Sequence, residues 1–557
     1  MWRSDSYMQV QKYVLLALVV WLLVIGMFVR IWGLWNYAFS PDEVMLASVA
    51  IGERLHDVWS ALRDQTNAPL MYGILYGLIK ISPDELVLRG ISLLPGAGLI
   101  LVFFLLGRRV SGTAAGVTMA YLAAFSSGAI QMSQVVRPYS MLLLFLSLAL
   151  WFFISYAITC RQKYLYGYSL FMLLSIASHY SAVICFAAIG IVWFSRLLIQ
   201  RESVKEFSKI GLTHLPPLVI FILLYVYHIS FQTAGGGVYT AIKQTYLASL
   251  FPHTLTGFTH NTAALFRYLF SPMKAKWLMV IAASGFLSLW QSRQRYTAIT
   301  VLITFLLSFV LAGLNVYPFG ESRHSIYLFP LIALLIGAAV QSGYNFLNHC
   351  VIPFLSRRIY FQNKKFQTKF SCAGVTGLAA TALIIALYFQ QHDFLRSYGA
   401  YNEFPLKQES YAKVKDYLKE NMQPHDIIIT NLQSSSYFIY NQYLQTNHKP
   451  QTIFLSWYCG KIVWNEFDCF YLFRWKFENI ETVLRALKGI NQHVDSRKIS
   501  KVWLVNIGGD ADEIETYLSA QPSYLPYIHR ELSVEGGSIY SVKTDNIIQN
   551  LLGKKEL

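Results

Sequence analysis

The chain has 557 residues, of which 55% are hydrophobic and only 14% charged, and its formal net charge is +16. A soluble globular domain carries about 25% charged residues, so this composition excludes a wholly soluble protein. The basic residues lie in short clusters between long apolar runs. This distribution is typical of a polytopic membrane protein and excludes the continuous basic face of a nucleic-acid-binding protein.

Long apolar runs predict the membrane spans, because a helix that crosses a membrane needs about 20 mostly apolar residues. The first run, Val14 to Val29, is followed by Arg30, Trp32 and Trp35, which predict an interfacial belt rather than a cleavage site. The eleven predicted spans are 13–35, 86–107, 112–131, 139–159, 164–178, 180–199, 211–231, 276–291, 296–314, 323–342 and 372–391.

The basic clusters fall in alternate loops between these spans, as with Arg108-Arg109 after the second span. The positive-inside rule places this side, with Lys12 and Lys205, in the cytoplasm. Because the number of spans is odd, residues 392–557 are expected outside the cell. The predicted location is a plasma membrane, such as the bacterial inner membrane.

The C-terminal residues, 392–557, alternate apolar and polar positions as an ordinary globular domain does. The pattern predicts helices at 409–420 and 514–520 and strands at 427–430, 452–456 and 502–506. The predicted fold is thus an α-helical polytopic membrane module, residues 1–391, followed by a small soluble α/β domain, residues 392–557.

Two cysteines, Cys459 and Cys469, lie in this predicted outer domain. In an oxidising compartment they are candidates for a disulfide, and two separate buried thiols are the alternative. Their spacing lacks the further cysteines or histidines of a zinc site. We therefore expect neither a metal nor another cofactor.

An acidic pair, Asp42-Glu43, follows the first span directly. Ser40 is a good helix N-cap and Pro41 suits the first helical position, so the pair is expected in a first helical turn. The two carboxylates either complement the helix dipole or serve as an acid or base at the membrane surface. The segment 43–62 then predicts one interfacial helix, and a short apolar helix is expected to start within 67–72.

Basic and aromatic residues collect at the same predicted outer boundary. Any one of them alone is typical of an interface residue. Together with the acidic pair they predict a phosphate site beside a carboxylate, since arginine binds phosphate through two parallel hydrogen bonds. The residues are Arg89, Arg137, Tyr139, His179, Tyr180, Arg323 and His324.

At these positions the chain resembles the GT-C superfamily, in particular its protein O-mannosyltransferase and lipid A aminoarabinose transferase type. Asp42-Glu43 matches the acidic pair of that family, and NAPLMY at 67–72 is similar to its HPPLYY stretch. VVRPYSML at 135–142 resembles EARPYxLL, and SHY at 178–180 resembles THY. RHSIYLFP at 323–330 resembles RHxxYxxP. The likeness covers about residues 10–345 and, more loosely, the outer domain.

The resemblance implies a glycosyltransferase that moves a sugar, with inversion, from a polyprenyl-phosphate donor to a glycan, lipid or protein acceptor at the outer face. It implies Asp42 as the general base, Glu43 as an acceptor or sugar contact, and Arg137 and Arg323 as phosphate or sugar contacts. The other implied substrate-binding residues are Asn67, Tyr72, Arg89, Tyr139, His179, Tyr180 and His324.

The sequence departs from the family at three positions. Val135 stands where many relatives have Glu, Asn67 where many have His, and Ala68 where the aminoarabinose transferases have Lys. Other functions remain open at this point: a lipid-linked oligosaccharide polymerase or ligase, a transporter, and a sensor that uses the outer domain. A transporter predicts internal repeats and charges near the membrane midplane, and neither is evident here.

Overall fold

The computed structural model describes residues 2–52, 54–62, 67–201, 203–230, 248–270, 272–292, 294–351, 407–423, 425–448, 451–456, 459–464, 467–472, 501–507, 528–534 and 537–543. Two compact units make up the chain. The helical unit consists of Met1–Trp32, Arg63–Met71 and Gly90–Arg396. The sheet unit consists of Gly33–Leu62, Tyr72–Arg89 and Ser397–Leu557. The sheet unit thus includes parts of the predicted first outer loop, which the sequence did not indicate. The predicted domain division at residue 391 stays a prediction.

The described part of the chain up to residue 351 is mainly helical. Its α-helices are α1 (Trp2–Ile31), α2 (Pro41–Ala50), α3 (Leu55–Leu62), α4 (Pro69–Ile81), α5 (Glu85–Val110), α6 (Thr113–Phe125), α7 (Ser127–Gln134), α8 (Tyr139–Thr159), α9 (Lys163–Ser178), α10 (Ala182–Gln200), α11 (Val204–Leu224), α12 (Leu255–Phe270), α13 (Pro272–Gln291), α14 (Arg295–Gly313) and α15 (Phe329–Phe346). Single turns of 3₁₀-helix lie at Leu34–Asn36 and Ala248–Leu250, and a longer one at Arg323–Leu328.

Seven helices among the described residues are long and apolar enough to cross a membrane. They are Lys12–Asn36, Glu85–Val110, Tyr139–Thr159, Ala182–Gln200, Val204–Ile229, Arg295–Gly313 and Arg323–His349. The pair α6 and α7, bent by 53°, makes an eighth when it is taken as one broken span. All of these coincide with predicted spans.

The predicted count of eleven spans is not confirmed. The fifth predicted span corresponds to α9, which has only 16 residues. The eighth corresponds to α13, where Lys274 and Lys276 lower the mean hydropathy. The eleventh, 372–391, lies outside the described residues.

Close helix packing in the helical unit depends on small residues. A Cβ atom on Gly285 of α13 would lie 1.8 Å from the carbonyl oxygen of Leu335 in α15. Between apolar helices in a membrane, such close approach provides the van der Waals contact that holds the helices together. A side chain at this position would push α13 and α15 apart.

The sheet unit contains two further helices, α16 (Gln408–Asn421) and α17 (Leu432–Thr446). Its strands are β1 (Ile427–Asn431), β2 (Thr452–Ser456), β3 (Cys459–Trp464), β4 (Phe467–Leu472), β5 (Lys501–Ile507), β6 (Ile528–Val534) and β7 (Gly537–Lys543). The predicted helix at 409–420 and the three predicted strands are confirmed as α16, β1, β2 and β5. The predicted helix at 514–520 lies outside the described residues.

The described strands form one mixed sheet in the order β2-β3-β4-β1-β5-β7-β6. β1 runs parallel to β4 and β5, and the other neighbouring pairs are antiparallel. Ile427, Ile428 and Ile429 of β1 are all buried. A continuous apolar run of this kind is typical of a central parallel strand with both faces covered.

The register of β3 and β4 contradicts the predicted disulfide. Cys459 lies opposite Leu472, and Cys469 lies opposite Ile462, so the two cysteines are three positions out of register. That offset is about 10 Å along the strand. A disulfide requires Cα atoms within about 7 Å of each other. Cys469 is buried in the sheet, in line with the alternative of separate thiols.

Glu531 of β6 gives the sheet unit a pH-dependent stability. Burial alone would raise its pKa, but hydrogen bonds from Ser541, Lys501 and Tyr417 outweigh burial and lower the pKa to about 2. A lowered pKa stabilises the fold above the ordinary value of 4.5, and this contribution is lost as the pH falls through 2.

We therefore expect Glu531→Gln to lower the local free energy of unfolding at pH 7 by about 1–2 kcal/mol. Hydrogen exchange of the peptide that covers β5, in the full-length protein, measures this loss. The difference between wild type and variant should shrink as the pH falls from 4.5 toward 2. A difference independent of pH would show that the charge of Glu531 contributes nothing.

Candidate active site

The acidic pair lies in the first turn of α2, as predicted. Ser40 is the N-cap, and its backbone N–H donates to Oε2 of Glu43 at 2.9 Å. This is the capping-box arrangement, in which the third helical residue reaches back to the N-cap. Asp42 is half-buried in the same turn. The sequence left open whether the acidic pair caps this helix. In the structure, Glu43 performs the capping.

Glu43 also forms a buried ion pair with Arg89. The Nε of Arg89 lies 3.3 Å from Oε1 of Glu43, and the two side chains are 1% and 0% exposed. The guanidinium further donates to the carbonyls of Leu34, Tyr37 and Ala38. It thus ties the turn before α2 to the start of α5, and removal of either charge would leave the other buried.

The second group of predicted residues lies in the helical unit, where the segment carrying Arg137 joins α7 to α8. The Ser92 hydroxyl donates to the carbonyl of Arg137 at 3.0 Å. The Ser140 hydroxyl donates to the carbonyl of Met132 at 2.8 Å, and the Gln134 amide donates to the carbonyl of Arg30 at 3.2 Å. The backbone around Arg137 is therefore held at several points by buried side chains.

Tyr139 brings the two predicted histidines together. Its ring centroid lies 4.9 Å from that of His179 and 6.4 Å, edge-on, from that of His324. The hydroxyl of Tyr317 donates to the carbonyl of His324 at 3.2 Å. Tyr139, His179 and His324 come from three distant motifs, and the fold brings them together within the helical unit.

His179 is held as a neutral imidazole. Its Nδ1 accepts a hydrogen bond from the backbone N–H of Ser181 at 3.2 Å, which leaves Nε2 to carry the proton. Burial, and then the charges of Arg323 and Arg137, lower the pKa of His179 to about 3. In this group of five residues, Arg137, Tyr139, His179, Arg323 and His324, the two arginines therefore carry fixed positive charges beside a neutral His179.

The remaining predicted residues lie elsewhere. Tyr180 forms a hydrogen bond of 2.5 Å with Nδ1 of His228, at the end of the helix that begins with α11. Asn67 is half-buried just before α4. Tyr72 is fully buried within α4. The apolar helix expected in this region is confirmed as α4, Pro69–Ile81.

Arg30 was predicted as part of an interfacial belt, and this is wrong. Its side chain is fully buried and donates to the carbonyls of Gly26, Ala123 and Ala124 and to the Ser133 hydroxyl. The two alanine carbonyls belong to the last turn of α6, where helix carbonyls lack partners within the helix. Arg30 thus stabilises the break between α6 and α7.

Sequence reasoning missed Ser92, Ser133 and Gln134. They are ordinary small or amide residues in apolar surroundings, and their importance depends on partners distant in sequence. Among the residues that the structure describes, no group of three or more His, Cys, Asp or Glu side chains is placed to hold a metal ion.

Comparison with known proteins identifies the fold. No protein-family model and no curated protein matches the chain. Among solved structures, ArnT from Cupriavidus metallidurans bound to undecaprenyl phosphate matches with a TM-score of 0.51 and 13% identity, over 96% of this chain and 98% of that one. The oligosaccharyltransferase AglB from Archaeoglobus fulgidus, in complex with an inhibitory peptide and a dolichol-phosphate, matches with a TM-score of 0.52 and 14% identity, over 96% and 75%. The chain therefore has the GT-C fold, as the sequence motifs predicted.

Proposed function

We propose that this chain is a membrane glycosyltransferase that transfers a sugar, with inversion, from a polyprenyl-phosphate carrier to an acceptor at the outer face of the membrane. The observation that carries the proposal is the GT-C fold along 96% of the chain, shared with ArnT bound to undecaprenyl phosphate. The AglB structure likewise contains a dolichol-phosphate. Both matched proteins thus bind a lipid phosphate.

Asp42 is the general base in this proposal. A hydroxyl acceptor is a weak nucleophile, and a carboxylate that takes its proton in the transition state typically contributes about 10²–10⁴-fold. The acceptor oxygen forms a bond to the anomeric carbon while the bond from that carbon to the phosphate oxygen breaks. The proton passes to Asp42, and the polyprenyl phosphate leaves with the electron pair. One displacement of this kind inverts the anomeric centre.

The arginine and histidine group of the helical unit is the proposed phosphate site. The leaving phosphate needs charge stabilisation, which Arg137 and Arg323 supply. The protonated Nε2 of His179 adds a neutral donor, because Nδ1 of this ring already accepts from Ser181. Tyr139 and His324 complete the proposed site.

Glu43 and Arg89 are better explained as positioning residues than as the substrate contacts implied by the resemblance. Both side chains are buried, and both oxygens of Glu43 already have partners in the chain. Tyr72 is also fully buried, and its side chain is likewise better explained as part of the packing of α4 than as a substrate contact. Asn67 and Tyr180 remain proposed substrate contacts.

The outward orientation rests on the alternation of basic loops along the sequence, which places the N-terminus in the cytoplasm and the C-terminal residues outside. No nucleotide-linked sugar is available outside the cell, so a lipid-carried donor suits a site on that face. The proposed location is a plasma membrane, and the proposed partners are the lipid-linked donor, the acceptor and the surrounding lipids.

The experiment that tests the function compares the glycans and lipids of cells with and without the gene. We expect one sugar modification to disappear without the gene and to return with the wild-type gene. Purified protein should also release polyprenyl phosphate from a polyprenyl-phosphate sugar when an acceptor fraction is added. Unchanged glycans and lipids, together with no such release, would exclude the proposal.

Transfer of a whole oligosaccharide, as by a polymerase or ligase, is the second candidate. The match to AglB, with a TM-score of 0.52, favours it. The sequence contains no WWDYG-type stretch of the oligosaccharyltransferases, and the match to ArnT extends over 98% of that chain. The mass added to the acceptor distinguishes the two: one sugar unit supports the first proposal, and a longer glycan the second.

A further inference from the structure

Helix α17 of the C-terminal part contacts the turn before α2, the helix that carries Asp42, and both belong to the sheet unit. The hydroxyl of Tyr437 donates to the carbonyl of Phe39, three residues before Asp42 in the chain. The hydroxyl of Tyr440 donates to the carbonyl of Pro83. The Tyr440 ring also packs against Phe39, with centroids 5.6 Å apart. Both tyrosines are almost fully buried.

The main chain before α2 is held at four successive residues. The carbonyls of Tyr37 and Ala38 accept from Arg89, and that of Phe39 accepts from Tyr437. The N–H of Ser40 donates to Glu43. Since loops are normally among the more mobile parts of a protein, hydrogen bonds at four successive residues indicate a turn held in one conformation.

Further contacts join the same two regions. Tyr37 forms an antiparallel bridge with Lys407 just before α16, and Gln408 donates to Glu85 at 3.0 Å. The guanidinium of Arg89 lies 5.1 Å from the centre of the Phe39 ring. Phe39 thus contacts both Arg89 and Tyr440, and the loop is fixed from α5 and from α17.

We propose that Tyr437 and Tyr440 are positioning residues for the transfer reaction, through which the C-terminal α/β domain holds Asp42 in the orientation needed to take the acceptor proton. The inference rests on the proposed function. A general base must lie within hydrogen-bond reach of the proton it removes, and small displacements of a reacting group cost large factors in rate. The C-terminal domain therefore takes part in the chemistry through the turn at residues 37–43.

Tyr437→Phe tests the proposal in the full-length protein, because it removes one hydroxyl and keeps the ring. We expect kcat to fall about tenfold with the KM for the lipid-linked donor unchanged. Tyr443→Phe is the matched control: Tyr443 is buried in the same helix, and its hydroxyl makes no hydrogen bond among the described residues. The control should retain full activity, and equal rates for the two variants would overturn the proposal.

A combined variant separates positioning from general damage. In an Asp42→Asn background, Tyr437→Phe should have little further effect on the rate of a single turnover with radiolabelled donor, because the group it positions is gone. An equal fold-loss in both backgrounds would overturn the proposal. Tyr440→Phe provides a second variant with the same expectation.

Hydrogen exchange distinguishes failure of this inference from failure of the proposed function. Tyr437→Phe should speed exchange in the peptide covering residues 37–50, whereas Tyr443→Phe should not. Faster exchange with unchanged transfer would show that the Tyr437 hydroxyl holds the turn at residues 37–43 and that the reaction does not depend on it. Unchanged exchange would show that the hydroxyl does not hold this turn, whatever reaction the protein catalyses.

Discussion

Replacement of Asp42 by Asn is expected to lower sugar transfer about 100-fold or more while the protein stays folded. The amide keeps the shape of the side chain but takes no proton from the acceptor. Folding should survive because Glu43, and not Asp42, accepts the hydrogen bond from the N-cap residue Ser40. The initial rate of transfer by purified protein measures the loss, and the thermal unfolding temperature checks the fold.

Glu43→Gln is the matched control, and its effect should be on stability. The substitution leaves the guanidinium of Arg89 buried without its carboxylate partner, which costs about 3–5 kcal/mol for a typical buried pair. The two adjacent residues are therefore expected to differ: Asp42→Asn lowers activity alone, whereas Glu43→Gln lowers stability together with the positioning of Asp42. A folded Asp42→Asn protein with most of its activity would reject the assignment of Asp42 and would direct the search to another acidic residue of the loop, such as Asp57.

Local sequence patterns predicted much of the fold because they depend on neighbouring residues. Apolar runs of about 20 residues located the spans that the structure describes, and the run at 427–430 located the central strand β1. The interfacial helix predicted over 43–62 is instead two helices. Ile51 is extended after α2, and Asp57 accepts from the N–H of Arg54 to begin α3. Gly52 and Asp57 were the available signals for this break.

Strands β3, β4, β6 and β7 were not predicted. β6, with the sequence IHRELSV, mixes charged and apolar residues without a continuous apolar run. β3 and β4 are likewise interrupted by polar residues. Such strands are defined by their pairing with β7 and with each other. Pairing partners distant in sequence leave no local pattern, so the order of the sheet was not predictable either.

The candidate site was likewise predicted where the signal is a local motif and missed where it depends on residues distant in sequence. Motifs with arginine and histidine predicted His179 and His324, which gather around Tyr139, because several such residues at one membrane boundary are unusual, although each alone is typical there. The partners of those motifs were missed. Glu43 and Arg89 are 46 residues apart, and Arg30 lies 103 residues from Ser133. A buried ion pair and an interfacial charge have the same sequence signature, so only the fold distinguishes them.

Arg137→Ala is expected to weaken use of the lipid-linked donor by about 10- to 100-fold in KM, the usual effect of losing a hydrogen bond to a charged group. Arg137→Lys should restore only part of the affinity, because a single ammonium replaces the two parallel donors of the guanidinium. The fold should survive both changes. Ser92 holds the segment through the backbone N–H and carbonyl of residue 137, which every variant keeps.

Arg267 provides the matched control for Arg137. It is an arginine of the same helical unit, 35% exposed, and its ion-pair partner Glu321 is 50% exposed. Its replacement by Ala should leave the KM for the donor unchanged, because exposed ion pairs contribute little. The measurement is the dependence of transfer rate on the concentration of polyprenyl-phosphate sugar for all three variants. If Arg137→Ala behaves as Arg267→Ala does, Arg137 anchors α8 at the membrane boundary, and the phosphate must be bound by Arg323 without it.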